Sequence, residues 1–355
     1  MIRQLRRLTR PVARAGPRAS ALAVYANARG NDKFELRPAA EQGFEGVACV
    51  DDAARAAVLY CEIWRRHRLP WASEAAQGVL RFVTYMQGDD GRFVNFILNW
   101  DGLKNLSGVT SRPGGWGWTS RAMHALAAGV TVFGGTEYVE AFERGLPWLD
   151  RPCPYLDVRA VCVLACLEYW AATGKPAVAE RAISWSEEIA ASRLGDLLPD
   201  VAGEPNIHLW GHLQEVALVR AALAFGRPDL ARAAQASADA VLVSAVDRAF
   251  TAPTTIPFDV SCTIHALTAV AEVTRDVRYA TRAVWARAWF VGRNAARQPI
   301  YDRRRGLVYD GIDDGLVNGN SGAESNVEGA LALLDWVPWN WYSGSSCRIL
   351  ESRRL

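Results

Sequence analysis

The feature that most constrains this chain is a rhythm. About eleven helical stretches are joined alternately by short turns and long loops. Each helix carries an apolar stripe that must be covered. An open row of helical pairs leaves stripes uncovered at both ends, whereas a closed ring leaves none. The short turns share one chemistry, seen in Phe133-Gly134-Gly135-Thr136, Thr173-Gly174-Lys175-Pro176 and Phe225-Gly226-Arg227-Pro228. Glycine tolerates the left-handed end of a helix, and proline suits the first turn of the next.

The 3.6-residue period predicts helices over Asp51–His67, where Ala54, Val58, Cys61 and Trp64 share a face, and over Ala72–Met86. It predicts further helices over Trp116–Phe133, Thr136–Trp148, Tyr155–Ala172, Ala177–Ser192, His208–Phe225 and Asp229–Val243. Others follow over Phe258–Val273, up to about Phe290, and over Ala323–Leu334. A helix over Arg18–Ala28 would supply a partner for a sixth pair. Arg92–Ile97 has the makings of a short strand. Equivalent helices recur every 40 to 65 residues or so, an internal repeat of helical hairpins. The loops between pairs are strongly unequal, which favours a closed toroid over a uniform solenoid. The expected fold is therefore all-α, an (α/α)6 toroid, as a single domain over residues 20–355. The arginine-rich residues 1–19 (Arg3, Arg6, Arg7, Arg10, Arg14 and Arg18) are expected to form a flexible basic tail. Trp336, Trp339 and Trp341 are expected to seal the barrel.

Composition excludes some functions. The net charge of +2 is too small to imply nucleic acid or an anionic membrane as partner. No run of 18 apolar residues could span a membrane, and the basic N-terminus lacks the apolar stretch of a secretory signal. Seven scattered cysteines, Cys162 and Cys166 among them, read as free thiols of a cytoplasmic protein. The five histidines are dispersed and no CxxC pair occurs, so neither a metal nor another cofactor is expected.

Acidic and aromatic residues gather where long loops meet helix starts. These are Asp51 and Asp52; Trp116, Trp118 and Arg121; Asp157; His208, Trp210 and His212; Asp259 and His265; and Glu324 and Asn326. Ring closure would bring them to one rim. Adjacent Asp51 and Asp52 suit a helix start, where acids cap and favour the dipole. They also suit acid–base work, because two close carboxyls resist joint ionisation. Glu324 opens the last helix and shares a face with Glu328. The pair His208 and His212 would lie one turn apart on a helix. The Gly-rich backbone around Trp116 and Trp118 is ill suited to a regular packed element, which makes those rings candidates to stack on a pyranose. A mobile rim loop is expected around Asp310, Asp313 and Asp314.

The strings Val50-Asp51-Asp52-Ala53-Ala54-Arg55-Ala56 and Gly322-Ala323-Glu324-Ser325-Asn326 resemble segments of bacterial six-hairpin glycosidase-like proteins. Asp89-Asp90-Gly91-Arg92-Phe93-Val94-Asn95-Phe96 is similar to a loop in some of them. The resemblance spans roughly residues 20 to 335. It implies a carbohydrate-active enzyme, a glycoside hydrolase first of all, working on an intracellular oligosaccharide or glycoconjugate. Asp52, Asp51 and Glu324 would be its catalytic carboxylates, facing one another across the cavity. Trp116, Trp118, Arg121, Asp157, His208, Trp210, His212, Asp259 and Asn326 would hold the sugar. Two alternatives stay open: a sugar epimerase led by His208 or His212 with His265, and a non-catalytic module that binds glycan or protein. The oligomeric state is left open.

Overall fold

The computed structural model describes residues 1–30, 33–38 and 45–334. Trp336, Trp339 and Trp341 lie outside the described residues. Helix α1 (Ile2–Leu8) precedes a run of short strands. Two-residue turns then join five hairpins: α2 (Val50–His67) with α3 (Pro70–Met86), α4 (Trp116–Phe133) with α5 (Thr136–Leu149), α6 (Leu156–Thr173) with α7 (Pro176–Ala191), α8 (Gln214–Phe225) with α9 (Pro228–Ser237), and α11 (Pro257–Thr274) with α12 (Val277–Arg287). Helix α9 runs through a π turn at Ala238–Leu242 into α10 (Val243–Asp247), and α13 (Ala323–Leu333) comes last.

The ring is closed. Helix α2 packs on α4, α4 on α6, α6 on α8, α8 on α11, α11 on α13, and α13 back on α2. The inner helices are rich in small buried residues such as Ala53, Ala57, Ala122, Ala125, Ala160 and Ala165. Small side chains let six helices crowd around one axis. The partners α3, α5, α7, α9 and α12 form an outer layer. This is the six-hairpin toroid expected from the repeat.

The shared turn chemistry has a shared geometry. The residue after each inner helix of the five hairpins is left-handed: Arg68, Gly134, Gly174, Gly226 and Arg275, with φ between 52° and 70°. Each donates its N–H to a carbonyl four residues back, which satisfies one of the helix's orphan acceptors. Pro70, Pro176 and Pro228 then open the outer helices.

Three expectations change. Residues 1–19 are not a loose tail: Leu5 and Leu8 are fully buried, and α1 packs on α13 as the sixth outer helix. No helix spans Arg18–Ala28; Ser20–Leu22 pairs with Thr9–Pro11, and Tyr25–Ala28 with Phe34–Arg37. Backbone partners supplied by the tertiary fold override the local helical tendency. The loop around Asp310, Asp313 and Asp314 is folded, with Gly311–Asp313 paired to Leu316–Asn318 and to Thr254–Thr255. No helix among the described residues is long and apolar enough to cross a membrane.

Candidate active site

Every inner helix starts at the same rim, because each outer helix returns the chain. The rim is built first around the start of α2. Asn95, in the loop after α3, fixes this start: its carbonyl accepts the Val50 N–H at 2.8 Å, and its Oδ1 accepts the Asp51 N–H at 3.2 Å. The Cys49 thiol sulfur accepts the Asp52 N–H at 3.4 Å. One turn on, Arg55 projects to the same place and gathers four carboxyl groups. Its Nη2 meets Asp51 Oδ2 at 3.2 Å, Asp52 Oδ1 at 2.8 Å and Glu324 Oε2 at 3.0 Å, and its Nη1 meets Glu328 Oε1 at 3.2 Å. The guanidinium lies 4.8 Å from the centre of the Phe258 ring. Arg55 thus stands where a cation would be needed to hold so many acids together.

The two adjacent aspartates differ. Burial disfavours the charge on both. On Asp51 the paired Arg121 and then Arg55 outweigh burial, and its pKa lies below the ordinary value. On Asp52 burial wins despite Arg55, aided by repulsion from Asp51 and Glu324, and the pKa is pushed up to about 7. Exposure differs too: the side chain of Asp52 is 5% exposed, Asp51 22% and Glu324 40%. Glu324 does not face the aspartates across the cavity. Helices α13 and α2 are neighbours in the ring, and Asp52 and Glu324 meet on one nitrogen. Burial also raises the pKa of Glu328, and pushes Asp259 and Asp310 up to about 6.

The remaining candidates divide. Asp157, at the start of α6, is half-buried, and burial raises its pKa. Arg121 pairs with Asp51 and lies 5.4 Å from the Phe258 ring. Asp259 accepts the Ile256 N–H at 2.8 Å. The segment His208–Leu213 is not helical, because Gly211 takes a left-handed φ of 76° and α8 begins only at Gln214. This loop dips to the rim: a Cβ on Gly211 would lie 3.7 Å from Asp157 Oδ2 and 3.8 Å from Arg121 Nη2. His208 and Trp210 stack at 3.5 Å with Trp210 45% exposed, an aromatic surface at the mouth. Trp116 is covered by the Arg151 and Arg159 guanidiniums at 4.7 and 5.9 Å, and Trp118 donates its indole N–H to the Phe93 carbonyl at 2.9 Å.

Two expected sugar ligands belong to the wall instead. His212 is 1% exposed; its Nδ1 lies 2.7 Å from Asp200 Oδ1 and its Nε2 3.2 Å from Glu215 Oε1. Burial alone would lower its pKa, but the two carboxylates outweigh it and raise it to about 10. Asn326 is fully buried. Its Oδ1 accepts the Val308 N–H, and its amide donates to Ser321 Oγ and the Gly322 carbonyl. Both side chains are buried and bonded to the protein's own groups, so neither is presented to the mouth.

Beneath Arg55 and Arg121 a cavity of about 110 Å³ runs down the axis, lined by all six inner helices and the loop before α8. That is room for several waters. His124 and His265 line it too, and burial with nearby arginines lowers His265 to about 3. Sequence reasoning missed Arg55 as the hub. Its spacing from Asp51 and Asp52, four and three residues, was the available signal. It also missed Phe258, His124 and Tyr25, whose pKa is raised by burial and then by Asp52 and Glu324.

No protein-family model matches the chain, and no curated protein matches it in sequence. Solved structures do match in shape. A sugar epimerase from a ruminal bacterium has 12% identity and a TM-score of 0.68, with 94% of this chain and 96% of that one covered. The cellobiose 2-epimerase of Spirochaeta thermophila has 15% identity and a TM-score of 0.65, with 90% of each covered. An α-mannanase of Bacteroides thetaiotaomicron has 12% identity and a TM-score of 0.56, with 87% of this chain and 90% of that one covered. At such identities the likeness establishes the six-hairpin toroid fold.

Proposed function

We propose that this chain is a carbohydrate-active enzyme that hydrolyses a glycosidic bond at the acidic mouth of the toroid. The carrying observation is the split between adjacent carboxyls: Asp51 held ionised by Arg121, and Asp52 holding its proton to about pH 7. Environments that push neighbouring pKa values apart assign acid and base. Asp52 is the proton donor to the departing oxygen, directly or through one water, since little of it reaches the surface. Glu324, the most exposed of the cluster, attacks the anomeric carbon as the bond to the leaving group breaks, and a water that gives its proton to Asp52 then displaces Glu324 and releases the sugar. Asp51, ionised, stabilises the positive charge that grows on the ring. Asp52 and Glu324 contact one nitrogen at 2.8 and 3.0 Å, so those oxygens are at most 5.8 Å apart. That is shorter than the roughly 6.5–9.5 Å that leaves room for an attacking water in inverting enzymes, so the expected outcome is retention. The fold's occurrence in a mannanase and in sugar epimerases supports a sugar as substrate.

A second reading, epimerisation, is favoured by two imidazoles, His124 and His265, lining the cavity in a fold that sugar epimerases share. One experiment separates the two. Gluco-, manno- and galacto-oligosaccharides are incubated with the protein and the products resolved by chromatography and NMR. New reducing ends, lost in Asp52→Asn and Glu324→Gln, support hydrolysis. An epimer of unchanged length, lost in His265→Asn but not in Asp52→Asn, supports epimerisation. No product from any sugar overturns both.

A further inference from the structure

The cavity below the mouth is the wrong chemistry for a bare sugar. Its top carries Arg55, Arg121 and Glu328. Below them the wall is Val58 from α2, Val161 and Leu164 from α6, Leu213 and Val216 at the start of α8, and Leu331 from α13. His124 from α4 and Cys262 from α11 interrupt this wall, but a hexose sunk into the shaft would still set most of its hydroxyls against apolar side chains, at roughly 1–3 kcal/mol for each group left unsatisfied. On α11 the lining runs from Phe258 at the mouth to Thr268, ten residues further on, a depth of about 15 Å. Polar groups return at the floor, where Arg220, His265 and Thr268 stand.

We propose that the shaft receives an apolar aglycone, so that the substrate is an amphipathic glycoconjugate: sugar at the rim, alkyl or acyl chain along the axis. Arg55 and Arg121 line the top of the shaft and also bond the acids of the rim, so polar rim and apolar shaft adjoin, which suits a molecule divided in the same way. This rests on the reading of the mouth as a sugar site. Chain length is limited, because a chain reaching the floor would strip water from Arg220, His265 and Thr268 without replacing its bonds.

The test is binding, measured calorimetrically, of n-alkyl β-glucosides and α-mannosides from methyl to octyl. Each methylene is expected to tighten binding about fourfold until the floor is met, and then no further. Leu164→Trp and Val216→Phe, which fill the shaft and leave the rim alone, are expected to abolish that increment while the methyl glycosides bind as before. Two fillings on different helices, each checked by melting temperature, guard against a variant that fails to fold. Affinity independent of chain length, or an increment that survives both fillings, overturns the proposal even if glycosides are turned over. An n-alkanol series that binds as tightly as the matching glycosides overturns the sugar at the rim, and with it the glycoconjugate. A chain-length increment in the absence of any turnover supports the shaft while the hydrolytic reading fails.

Discussion

Asp52 ties one measurement of rate to one of stability. On whichever substrate the product screen identifies, Asp52→Asn is expected to lower kcat by about 10²–10⁴-fold. The wild-type rate should fall as pH rises through about 7, where the acid loses its proton. The same shift acts on stability. The carboxyl's ordinary pKa is 3.8 and its folded value about 7, so its favourable contribution is complete below 3.8 and lost as pH climbs to 7. Asp52→Asn is therefore expected to lose less melting temperature than wild type between pH 4 and pH 8. An equal loss in both would show that Asp52 is not the buried acid described. His212 has the opposite role. It is a buried cation between Asp200 and Glu215, and His212→Ala leaves two buried acids uncompensated. Urea denaturation at neutral pH should show a cost of about 3–5 kcal/mol. With the pKa raised from 6.5 to about 10, that stabilisation is whole below 6.5 and fades up to 10, so the gap between wild type and variant should narrow over that range.

At the scale of elements, helix α1 gives a sharp test. A loose tail would tolerate any substitution, whereas Leu5 sits fully buried against the ring. Leu5→Ala is expected to cost about 2–5 kcal/mol in chemical denaturation. No change in midpoint would return the segment to the status of a tail. The helices of the five hairpins were legible because period and turn chemistry are local; α4 runs over Trp116–Phe133 as the spacing predicts. The strands at Ser20–Leu22 and Tyr25–Ala28 were not legible. Their partners, Thr9–Pro11 and Phe34–Arg37, carry no alternation strong enough to announce a pair. His208–Leu213 reads as helix by period, yet one left-handed glycine delays α8 to Gln214.

At the scale of the molecule, closure makes the inner helices interdependent. Cys61 lies on α2 and Cys162 and Cys166 on α6, all buried away from the axial cavity, with burial holding each thiol above its ordinary pKa. A thiol reagent read by peptide mass mapping is expected to label none of the three in the native state. Near the unfolding midpoint it should label them together, because no inner helix keeps its cover once a neighbour leaves. Labelling of one well before the others would show that the ring opens piecemeal.

The sequence by itself determined the number and type of the hairpins, the turns that join them, and the placing of Asp51, Asp52 and Glu324 at helix starts. Those follow from period, capping and backbone freedom, which operate over a few residues. Only the tertiary structure decided which acids share a guanidinium, which histidine is walled in, and what fills the sixth outer position. Arg55 and Glu324 are 269 residues apart and hydrogen-bonded. Ionisation and access depend on neighbours in space, and in a closed ring the first and last helices are neighbours.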